Sequence, residues 1–326
     1  MNDLCKVGVF GVGHLGSIHA RLLTQIDICK VIGTFDLDAQ KTAKLKDELG
    51  IEPFDDAGAL MQQIDVAVIA ASTQSHYTLA LKAIEAGVHL FIEKPLADTP
   101  QRAREIQSRC SAAGLKLGVG HIERFNRAVR SIEGQKLAPR FIEAHRLAAF
   151  TLRGADVAVI HDLMIHDLDL ILQWVDSPVK RLDASGVAVI SDTPDIANVR
   201  ILFENGCVAN VTASRISRHK MRKMRLFQED AYISLDFIEG KAEIYRLAAP
   251  GEQGIPAIEL GQIEKGQQPR RILYQQPSAP EANALQLEEE LFIKAVLEDR
   301  PAPVSGEDGV RALELAQEIL DQMQTP

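Results

Sequence analysis

The stretch Lys6–Gly16, KVGVFGVGHLG, decides the fold. It is a short apolar run of β character that leads directly into three glycines at the spacing G-x-G-x-x-G, and a helical pattern follows. The first glycine permits a tight turn, the second lets a pyrophosphate approach the backbone, and the third lets the helix pack on the strand. Phosphates would bind the free N–H groups at the positive end of this helix. The predicted contacts with a dinucleotide are Gly11, Gly13, His14, Leu15 and Gly16.

Asp36 lies twenty residues after Gly16, at the end of a second β run, VIGTFD. A carboxylate at this place can accept hydrogen bonds from a ribose 2′-OH and repels a 2′-phosphate. Glycines at this spacing also occur in plain turns, but the strand before them, the helix after them and this acid favour a binding site. The sequence therefore predicts NAD, rather than NADP, as the cofactor.

The composition is that of an ordinary globular protein: 326 residues, 46% hydrophobic and 25% charged. This length suits about two domains that together bury roughly three quarters of the unfolded surface. The formal charge of −9 argues against nucleic-acid and anionic-membrane partners. We therefore expect a small-molecule substrate.

The cysteines Cys5, Cys29, Cys110 and Cys207 include no C-x-x-C pair, and we predict no metal site. A β run begins close to Met1, and no apolar run is long enough to span a membrane. These features lead us to expect a reduced cytoplasmic protein without a signal peptide.

Strand and helix patterns alternate up to about residue 120, which predicts a parallel sheet with helices on both faces. The β-like runs are 5–10, 30–36, 65–70, 88–92 and 115–119, and the helical patterns are 14–25, 39–49, 75–86 and 100–113. We predict an α/β fold whose N-terminal domain, residues 1–121, is a Rossmann dinucleotide-binding domain.

Residues 122–326 have a different pattern, which predicts an α/β domain with a mostly antiparallel sheet. A helix at 122–134 precedes strand candidates at 140–149, 181–190, 196–204, 207–214, 223–228, 230–236 and 241–247, several of them joined by short turns such as Glu204-Asn205-Gly206. Helices are predicted at 281–298 and 305–323, and the Pro/Gly/Gln-rich stretch 249–280 is predicted to form loops.

The segment 157–175, VAVIHDLMIHDLDLILQWV, is apolar nearly all round and predicts a buried helix. Its polar exceptions fall on one stripe, formed by Asp162, His166, Asp169 and Gln173. Two interpretations are open: a hydrogen-bond network, or a catalytic carboxylate and histidine. His161 and Asp167 lie off the stripe and are expected to be structural or exposed.

Three features together resemble the Gfo/Idh/MocA superfamily, which includes glucose-fructose oxidoreductase and inositol dehydrogenase. They are the glycine pattern, the triplet Glu93-Lys94-Pro95 at the end of a parallel strand, and Asp162-x-x-x-His166-x-x-Asp169. The closing segment Ser305–Gly309 also looks like that of the family. The resemblance implies a large open sheet in the second domain and hydride transfer between a sugar or polyol and NAD(P).

The resemblance also implies roles for individual residues. Lys94 and His166 would be the catalytic pair, one taking the hydroxyl proton and the other holding the oxygen, with Asp162 positioning them. Glu93 would contact Lys94 or the cofactor, or be a structural carboxylate. The family position of Lys94-Pro95 has a cis peptide bond, whereas trans is the default from sequence alone. Cofactor contacts are implied for Ser72, Thr73 and His76, although a helix cap is the alternative for the first two.

The substrate side of the site is predicted from two further stretches. Arg215–Arg225, RISRHKMRKMR, holds six Lys/Arg residues and a histidine, and it is either a solvated edge strand or a grip on phosphate. The stretches around His121, Arg124 and Asn126, and around Arg215, resemble nucleotide-sugar dehydrogenases of this superfamily, of the type that acts on UDP-N-acetylglucosamine. Capping or pairing within the helix is the alternative for Arg124 and Asn126.

The expected function is NAD-dependent oxidation of a ring hydroxyl of a sugar, and the expected substrates are nucleotide sugars. An NAD-dependent glycosidase of the same superfamily and a non-catalytic NAD-sensing protein are the alternatives. An open sheet usually needs covering, so a homodimer or homotetramer is expected.

Overall fold

The computed structural model describes residues 4–150, 157–249, 251–254, 256–265 and 268–324. The chain forms two compact units. The first consists of Met1–Ile122 and Ala282–Glu314, and the second of Glu123–Glu281 and Leu315–Pro326. This division differs from a single boundary at residue 121, because the chain returns to the first unit near its end.

The first unit is built on a six-stranded parallel sheet in the order β3-β2-β1-β4-β5-β6. This is the strand order of dinucleotide-binding folds. The strands are β1 (Cys5–Phe10), β2 (Cys29–Phe35), β3 (Glu52–Pro53), β4 (Val66–Ile69), β5 (His89–Glu93) and β6 (Leu117–Gly120). The helices are α1 (His14–Leu23), α2 (Ala39–Leu49), α3 (Ala57–Met61), α4 (Thr73–Glu85), α5 (Pro100–Ala112) and, late in the chain, α8 (Ala284–Leu297).

The core of this unit forms because its central strands are mostly apolar. All four residues of β4, VAVI, are buried, as expected for a parallel strand covered on both faces. Phe292 and Ile293 of α8 join the same core as Val7 and Val9 of β1. This packing explains why the segment 282–314 belongs to the first unit.

The second unit is built on a nine-stranded sheet in the order β14-β15-β13-β12-β11-β7-β10-β9-β8. The strands are β7 (Phe141–Leu147), β8 (Val179–Val187), β9 (Ile196–Phe203), β10 (Val208–Ser214), β11 (Met221–Gln228), β12 (Ala231–Asp236), β13 (Lys241–Leu247), β14 (Ile258–Lys265) and β15 (Gln268–Gln275). The helices are α6 (Arg127–Arg130), α7 (Ile165–Trp174) and α9 (Gly306–Gln324), whose last turns lie in this unit. β7 and β10 run parallel, and the other neighbouring strands run antiparallel.

Two predictions of secondary structure were wrong. The stretch 249–280 contains the strands β14 and β15 rather than loops alone. β14 is an exposed edge strand with an irregular register near Gly261, so its sequence lacks the alternation that marks a half-buried strand. The helix predicted at 122–134 is a 3₁₀ turn, Ile122–Phe125, followed by the four-residue α6, because Asn126 caps a new helix there.

One face of the large sheet carries a row of aromatic side chains across five strands. The row consists of Phe141, Phe227, Tyr232, Tyr245 and Tyr274, which are paired in the strand register. Neighbouring ring centroids lie 4.8 to 5.9 Å apart. Phe227 and Tyr245 are each 37% exposed, whereas the alternate residues of β7, Ile142 and Ala144, are fully buried. The aromatic row therefore marks the open face of the sheet.

Within the described residues, no helix is both long enough and apolar enough to cross a membrane.

Candidate active site

The glycine turn of the first unit has the shape that a pyrophosphate requires. Gly11 has φ +82°, and a Cβ there would lie 2.3 Å from the Cα of Ala71. A Cβ on Gly16 would lie 1.8 Å from the Gly11 carbonyl oxygen. Gly13, by contrast, has no heavy atom within 4 Å of its Cβ position, so the backbone before α1 is open to a ligand. Gly11 and Gly16 thus permit a tight turn next to α1, and Gly13 leaves the backbone of the turn accessible.

Asp36 lies in the wall of a cleft of about 700 Å³ that also includes Gly11, Gly13 and Ser72. Its Oδ2 accepts a hydrogen bond from the Val12 N–H at 2.8 Å, and its Oδ1 accepts from the Asp38 N–H at 2.9 Å. These two bonds fix the carboxylate at the end of β2, beside the glycine turn. The cleft therefore fits the adenosine and phosphate parts of a dinucleotide.

The predicted cofactor contacts at the start of α4 differ in their surroundings. Ser72 occupies the N-cap position, but its side chain makes no cap hydrogen bond; its Oγ lies 3.0 Å from the Ser75 Oγ. Thr73 is the first residue of the helix. His76 is buried, and its ring nitrogens lie 3.0 Å from the Pro95 oxygen and 3.1 Å from the Ala71 oxygen. Burial lowers the pKa of His76, and the ring holds the Pro95 segment against α4.

Lys94, partly exposed, follows directly after β5. The Lys94-Pro95 peptide bond is cis, as the family resemblance implies. His121 is buried directly after β6, the neighbour of β5 in the sheet. These residues lie at the carboxyl ends of the strands, where open α/β sheets bind their ligands.

Glu93 belongs to a buried charge network that the sequence analysis missed. Its Oε1 lies 2.9 Å from His19 Nε2, and His19 Nδ1 lies 2.7 Å from the Oε1 of Glu289. Burial lowers the pKa of His19, but the hydrogen bonds and charges of the two glutamates outweigh it and raise this pKa to about 10. Burial raises the pKa of Glu93, but the hydrogen bonds and charges of His19 and Lys94 outweigh burial and bring this pKa below its usual range. A histidine on the inward face of α1, three residues after Gly16, was the available sequence signal.

The polar stripe of the second unit starts in an irregular helix. The predicted helix is present, but Ile160–Met164 form a π turn before α7, so it is not α-helical throughout. Asp162 and His166 are half-buried, Asp169 is buried and Gln173 is exposed. Asp162 lies in the widened turn, and such turns are frequent at functional sites because they re-aim side chains.

Arg124 and Asn126 make contacts within the second unit. Arg124 forms a bidentate pair with Asp169, at 2.8 Å from Nε to Oδ2 and 2.6 Å from Nη2 to Oδ1. Asn126 caps α6 by accepting from the Ala128 N–H, and its amide donates to Glu123 and to the Phe237 oxygen. Asn126 therefore has the capping role that was left open as an alternative, whereas Arg124 pairs with α7 and not within its own helix.

A second network surrounds Arg146, which points inward from β7. Arg146 is 2% exposed and donates to both oxygens of Asp167 and to Glu123 Oε1, at 2.7 to 2.9 Å. Asp167 is therefore structural and not exposed. An arginine at an inward position of an alternating strand is the sequence signal for such a buried ion pair.

Arg215 is 5% exposed and differs from the rest of the basic run. Its Nε donates to Asp195 Oδ1 at 2.9 Å, and its Nη1 donates to the Val157 oxygen at 2.6 Å. Its Nη2 has acceptors in Ser191, Thr193 and Pro194. Burial raises the pKa of Asp195, but N–H donors from Ile190, Ser191 and Val189 lower it well below the usual range. Arg215 therefore has the structural role of joining the loop 191–195 to the backbone at Val157.

Comparisons with known proteins agree with this geometry. Residues 5–121 match a family model described as an oxidoreductase family with an NAD-binding Rossmann fold, and residues 128–234 match the GFO/IDH/MocA C-terminal domain. The UDP-N-acetylglucosamine 3-dehydrogenase of Acidithiobacillus ferrooxidans is 35% identical over 96% of both chains. Its crystal structure covers 99% of this chain and 98% of its own, with a TM-score of 0.87. The myo-inositol 2-dehydrogenase of Thermotoga maritima is 24% identical, over 94% of this chain and 93% of its own.

The chain belongs to the Gfo/Idh/MocA family of oxidoreductases. It is an NAD-dependent dehydrogenase, and NAD is its cofactor.

The role of Asp36 can be measured by cofactor binding. We expect NAD to bind more tightly than NADP, and Asp36→Ala to weaken NAD binding by about tenfold, since a hydrogen bond to a charged group contributes roughly 1.5–3 kcal/mol. Titration calorimetry with both cofactors gives the affinities. Asp65→Ala is the control. Asp65 directly precedes β4, at the opposite end of the strands from the glycine turn, and its carboxylate accepts a hydrogen bond from the Lys6 N–H. Equal affinity of the unmodified protein for NAD and NADP would contradict this role.

Proposed function

We propose that the protein oxidises a ring hydroxyl of a nucleotide sugar with NAD, and that UDP-N-acetylglucosamine is the substrate to test first. The observation that carries this proposal is the end-to-end similarity to the UDP-N-acetylglucosamine 3-dehydrogenase of Acidithiobacillus ferrooxidans. Both units of the chain lie within the matched length, so the similarity includes the part that would select a substrate as well as the part that binds NAD. In this proposal the first unit binds NAD and the second binds the sugar.

The proposed chemistry divides between a few side chains. Bound NAD supplies a hydride acceptor. Lys94 and His166 share two tasks, removing the hydroxyl proton and holding the oxygen by a hydrogen bond, while Asp162 orients them. An ammonium group and an imidazole are suited to these tasks near neutral pH. His121 is retained as a candidate sugar contact. Within the second unit, Arg124 and Asn126 hold Asp169 and Glu123 in place.

Product analysis tests the proposed reaction. Incubation of the protein with NAD and UDP-N-acetylglucosamine should produce NADH and a keto sugar that is still linked to the nucleotide. An NAD-dependent glycosidase would release a free sugar without accumulating NADH. An NAD-sensing protein would bind NAD and reduce none of it with any nucleotide sugar.

Substitution of the catalytic pair is the second prediction. Lys94→Ala and His166→Ala should each lower kcat about a hundredfold or more, as expected for loss of a proton-transfer group, while NAD still binds. Steady-state NADH formation and NAD titration measure the two effects. Lys44→Ala and His145→Ala are matched controls, since Lys44 is exposed on α2 and His145 lies on the open face of the sheet. If His166→Ala turned over at the control rate, the stripe would be a structural network.

Arg222 is the residue of the basic run that best suits an anionic substrate. It is paired in register with Arg146, so it lies on the face of the sheet where Arg146 meets Asp167 of α7. Its Nη1 is 3.7 Å from Glu123 Oε1, and its side chain is 48% exposed. Arg225 lies on the opposite face of the same strand, 3.4 Å from Glu143. One strand therefore offers a test residue and a matched control.

The third prediction concerns a diphosphate contact at Arg222. Arg222→Ala should raise the KM for UDP-N-acetylglucosamine about tenfold with little change in kcat, because a charge-assisted hydrogen bond contributes roughly 1.5–3 kcal/mol. Arg225→Ala should leave the KM unchanged. The effect should shrink at high salt, which screens exposed charges. An unchanged KM in both variants would identify the run as solvent-exposed charges without a substrate contact; the alternative of an edge strand is wrong, because β11 pairs with β12 on one side and with β7 on the other.

We also propose that a second copy of the chain covers the open face of the large sheet, and that the protein works in the cytoplasm as a homo-oligomer. The aromatic row supports the first statement, because partly exposed rings at this spacing form a contiguous apolar strip. The four cysteines, all free thiols, agree with a reducing compartment.

The fourth prediction tests this contact. Tyr245→Lys should weaken self-association at least tenfold, roughly the effect of losing a central aromatic side chain from an interface. Light scattering coupled to gel filtration measures the mass over a range of concentrations. Leu297→Lys is the control, because Leu297 is exposed at the end of α8 in the first unit and is not part of the large sheet. A monomeric unmodified protein, or an unchanged mass for Tyr245→Lys, would contradict the proposal.

A further inference from the structure

We propose that His19 is a positioning residue: held by Glu289, it fixes the carboxylate of Glu93 and, through that carboxylate, the backbone at Lys94. The consequence for turnover rests on the proposed function, in which Lys94 is catalytic. The contacts that hold Glu93 lie entirely within the first unit.

The network begins on the inward face of α1. His19 is fully buried, and each of its ring nitrogens faces a carboxylate: Nε2 faces Glu93 at 2.9 Å, and Nδ1 faces Glu289 at 2.7 Å. A neutral imidazole donates only one hydrogen bond, so two ionised carboxylate partners require the imidazolium form, which the raised pKa of His19 favours at neutral pH. Burial also raises the pKa of Glu289, to about 7, and a protonated Glu289 would leave the bond from Nε2–H to Glu93 unchanged. His19 therefore holds Glu93 by a charge-assisted bond, the stronger kind.

Glu93 passes this restraint on to the next residue. Its Oε1 accepts from His19, and its Oε2 accepts from the Lys94 N–H at 3.1 Å. The carboxylate is also confined from the side, because a Cβ on Gly120 of β6 would lie 2.8 to 2.9 Å from its atoms. Glu93 is thus folded back onto the Lys94 backbone in a space that only a glycine leaves open.

Aromatic rings close the network from the core side. Phe91 meets the His19 ring edge-on, with centroids 5.9 Å apart, and Phe292 meets Phe91 in the same way at 5.6 Å. Rings in these places exclude water, and a low local dielectric strengthens the hydrogen bonds of a satisfied network. The restraint on Glu93 is therefore stiff rather than solvent-mediated.

The charges around the network give the restraint a pH signature. Besides His19, Glu93 faces Lys94, His76 and Glu289, and Glu289 also faces Cys29. Burial raises the pKa of Glu93, and the imidazolium is the first of the groups that bring it below the usual range. Without the imidazolium, burial would dominate and this pKa would rise. Glu93 would then take up a proton as the pH falls and lose its strength as an acceptor.

Two substitutions at residue 19 separate positioning from packing. The amide nitrogen of glutamine stands near the place of Nε2 and can still donate to Glu93. The amide nitrogen of asparagine stands near Nδ1 and donates to Glu289 instead. Both residues are neutral and similar in size, so a role limited to packing predicts similar behaviour. His89→Asn is the control, since His89 lies at the other end of β5 and accepts from the Lys116 N–H.

Hydrogen exchange at the Lys94 amide is the direct readout. Labelling glutamate carbonyls with ¹³C and lysine nitrogens with ¹⁵N selects the Glu-Lys pairs, of which the sequence has two, Glu93-Lys94 and Glu264-Lys265. We expect the Lys94 amide to exchange at least about tenfold faster in His19→Asn than in His19→Gln, the equivalent of one lost hydrogen bond. Lys265, in the second unit, is the internal reference.

Gly120→Ala is the second route, for the case that neither variant of His19 folds. The added methyl group would displace the Glu93 carboxylate while His19 stays in place, and we expect faster exchange at Lys94 here too. Equal exchange at Lys94 in His19→Gln and His19→Asn would overturn the proposal. If the His19 variants do not fold, slow exchange in Gly120→Ala would overturn it.

Turnover of UDP-N-acetylglucosamine is the functional readout. We expect kcat to fall at least about tenfold in His19→Asn and less in His19→Gln, with NAD affinity retained in both. In His19→Asn, kcat should fall further as the pH is lowered, because Glu93 becomes protonated. Faster Lys94 exchange with an unchanged kcat would refute the catalytic consequence. Absence of turnover in the unmodified protein would refute the proposed function, whereas the exchange rates would still decide the positioning role.

Discussion

A buried cation needs carboxylate partners to offset the cost of its desolvation, and each unit of this protein contains such a buried group. In the first unit, His19 lies between Glu93 and Glu289. In the second, Arg146 lies between Glu123 and Asp167. Removal of one partner from such a group leaves an uncompensated charge in the interior, which costs about 3–5 kcal/mol. Each network therefore restricts the backbone segments that carry its members.

The first network also explains the path of the chain. His19 and Glu289 are 270 residues apart in sequence, yet they are directly bonded. The segment that carries Glu289 also supplies Phe292, whose ring packs against Phe91. Charge pairing and apolar packing thus act together to bring α8 back to the Rossmann sheet. The dinucleotide fold of this protein is complete only with a helix from the end of the chain.

The sequence predicted what depends on local pattern and missed what depends on distant partners. The seven strands predicted between residues 140 and 247 are all present, because each alternates or lies next to a recognisable turn. β14 was not predicted, because it is an exposed edge strand whose apolar residues do not alternate regularly along its length. The glycine turn and the position of Asp36 directly after β2 were predicted from local spacing together with the flanking strand and helix patterns. Glu289 could not be assigned, since nothing local to α8 shows that its partner is a histidine on α1.

The aromatic row has an optical consequence. Tyr232, Tyr245 and Tyr274 are three of the four tyrosines in the chain, and the single tryptophan, Trp174, lies at the end of α7. Rings about 5 to 6 Å apart in a fixed order couple electronically, so the near-ultraviolet circular dichroism of the protein should be dominated by one face of one sheet. The near-ultraviolet circular dichroism should therefore report whether that face is exposed to solvent or covered.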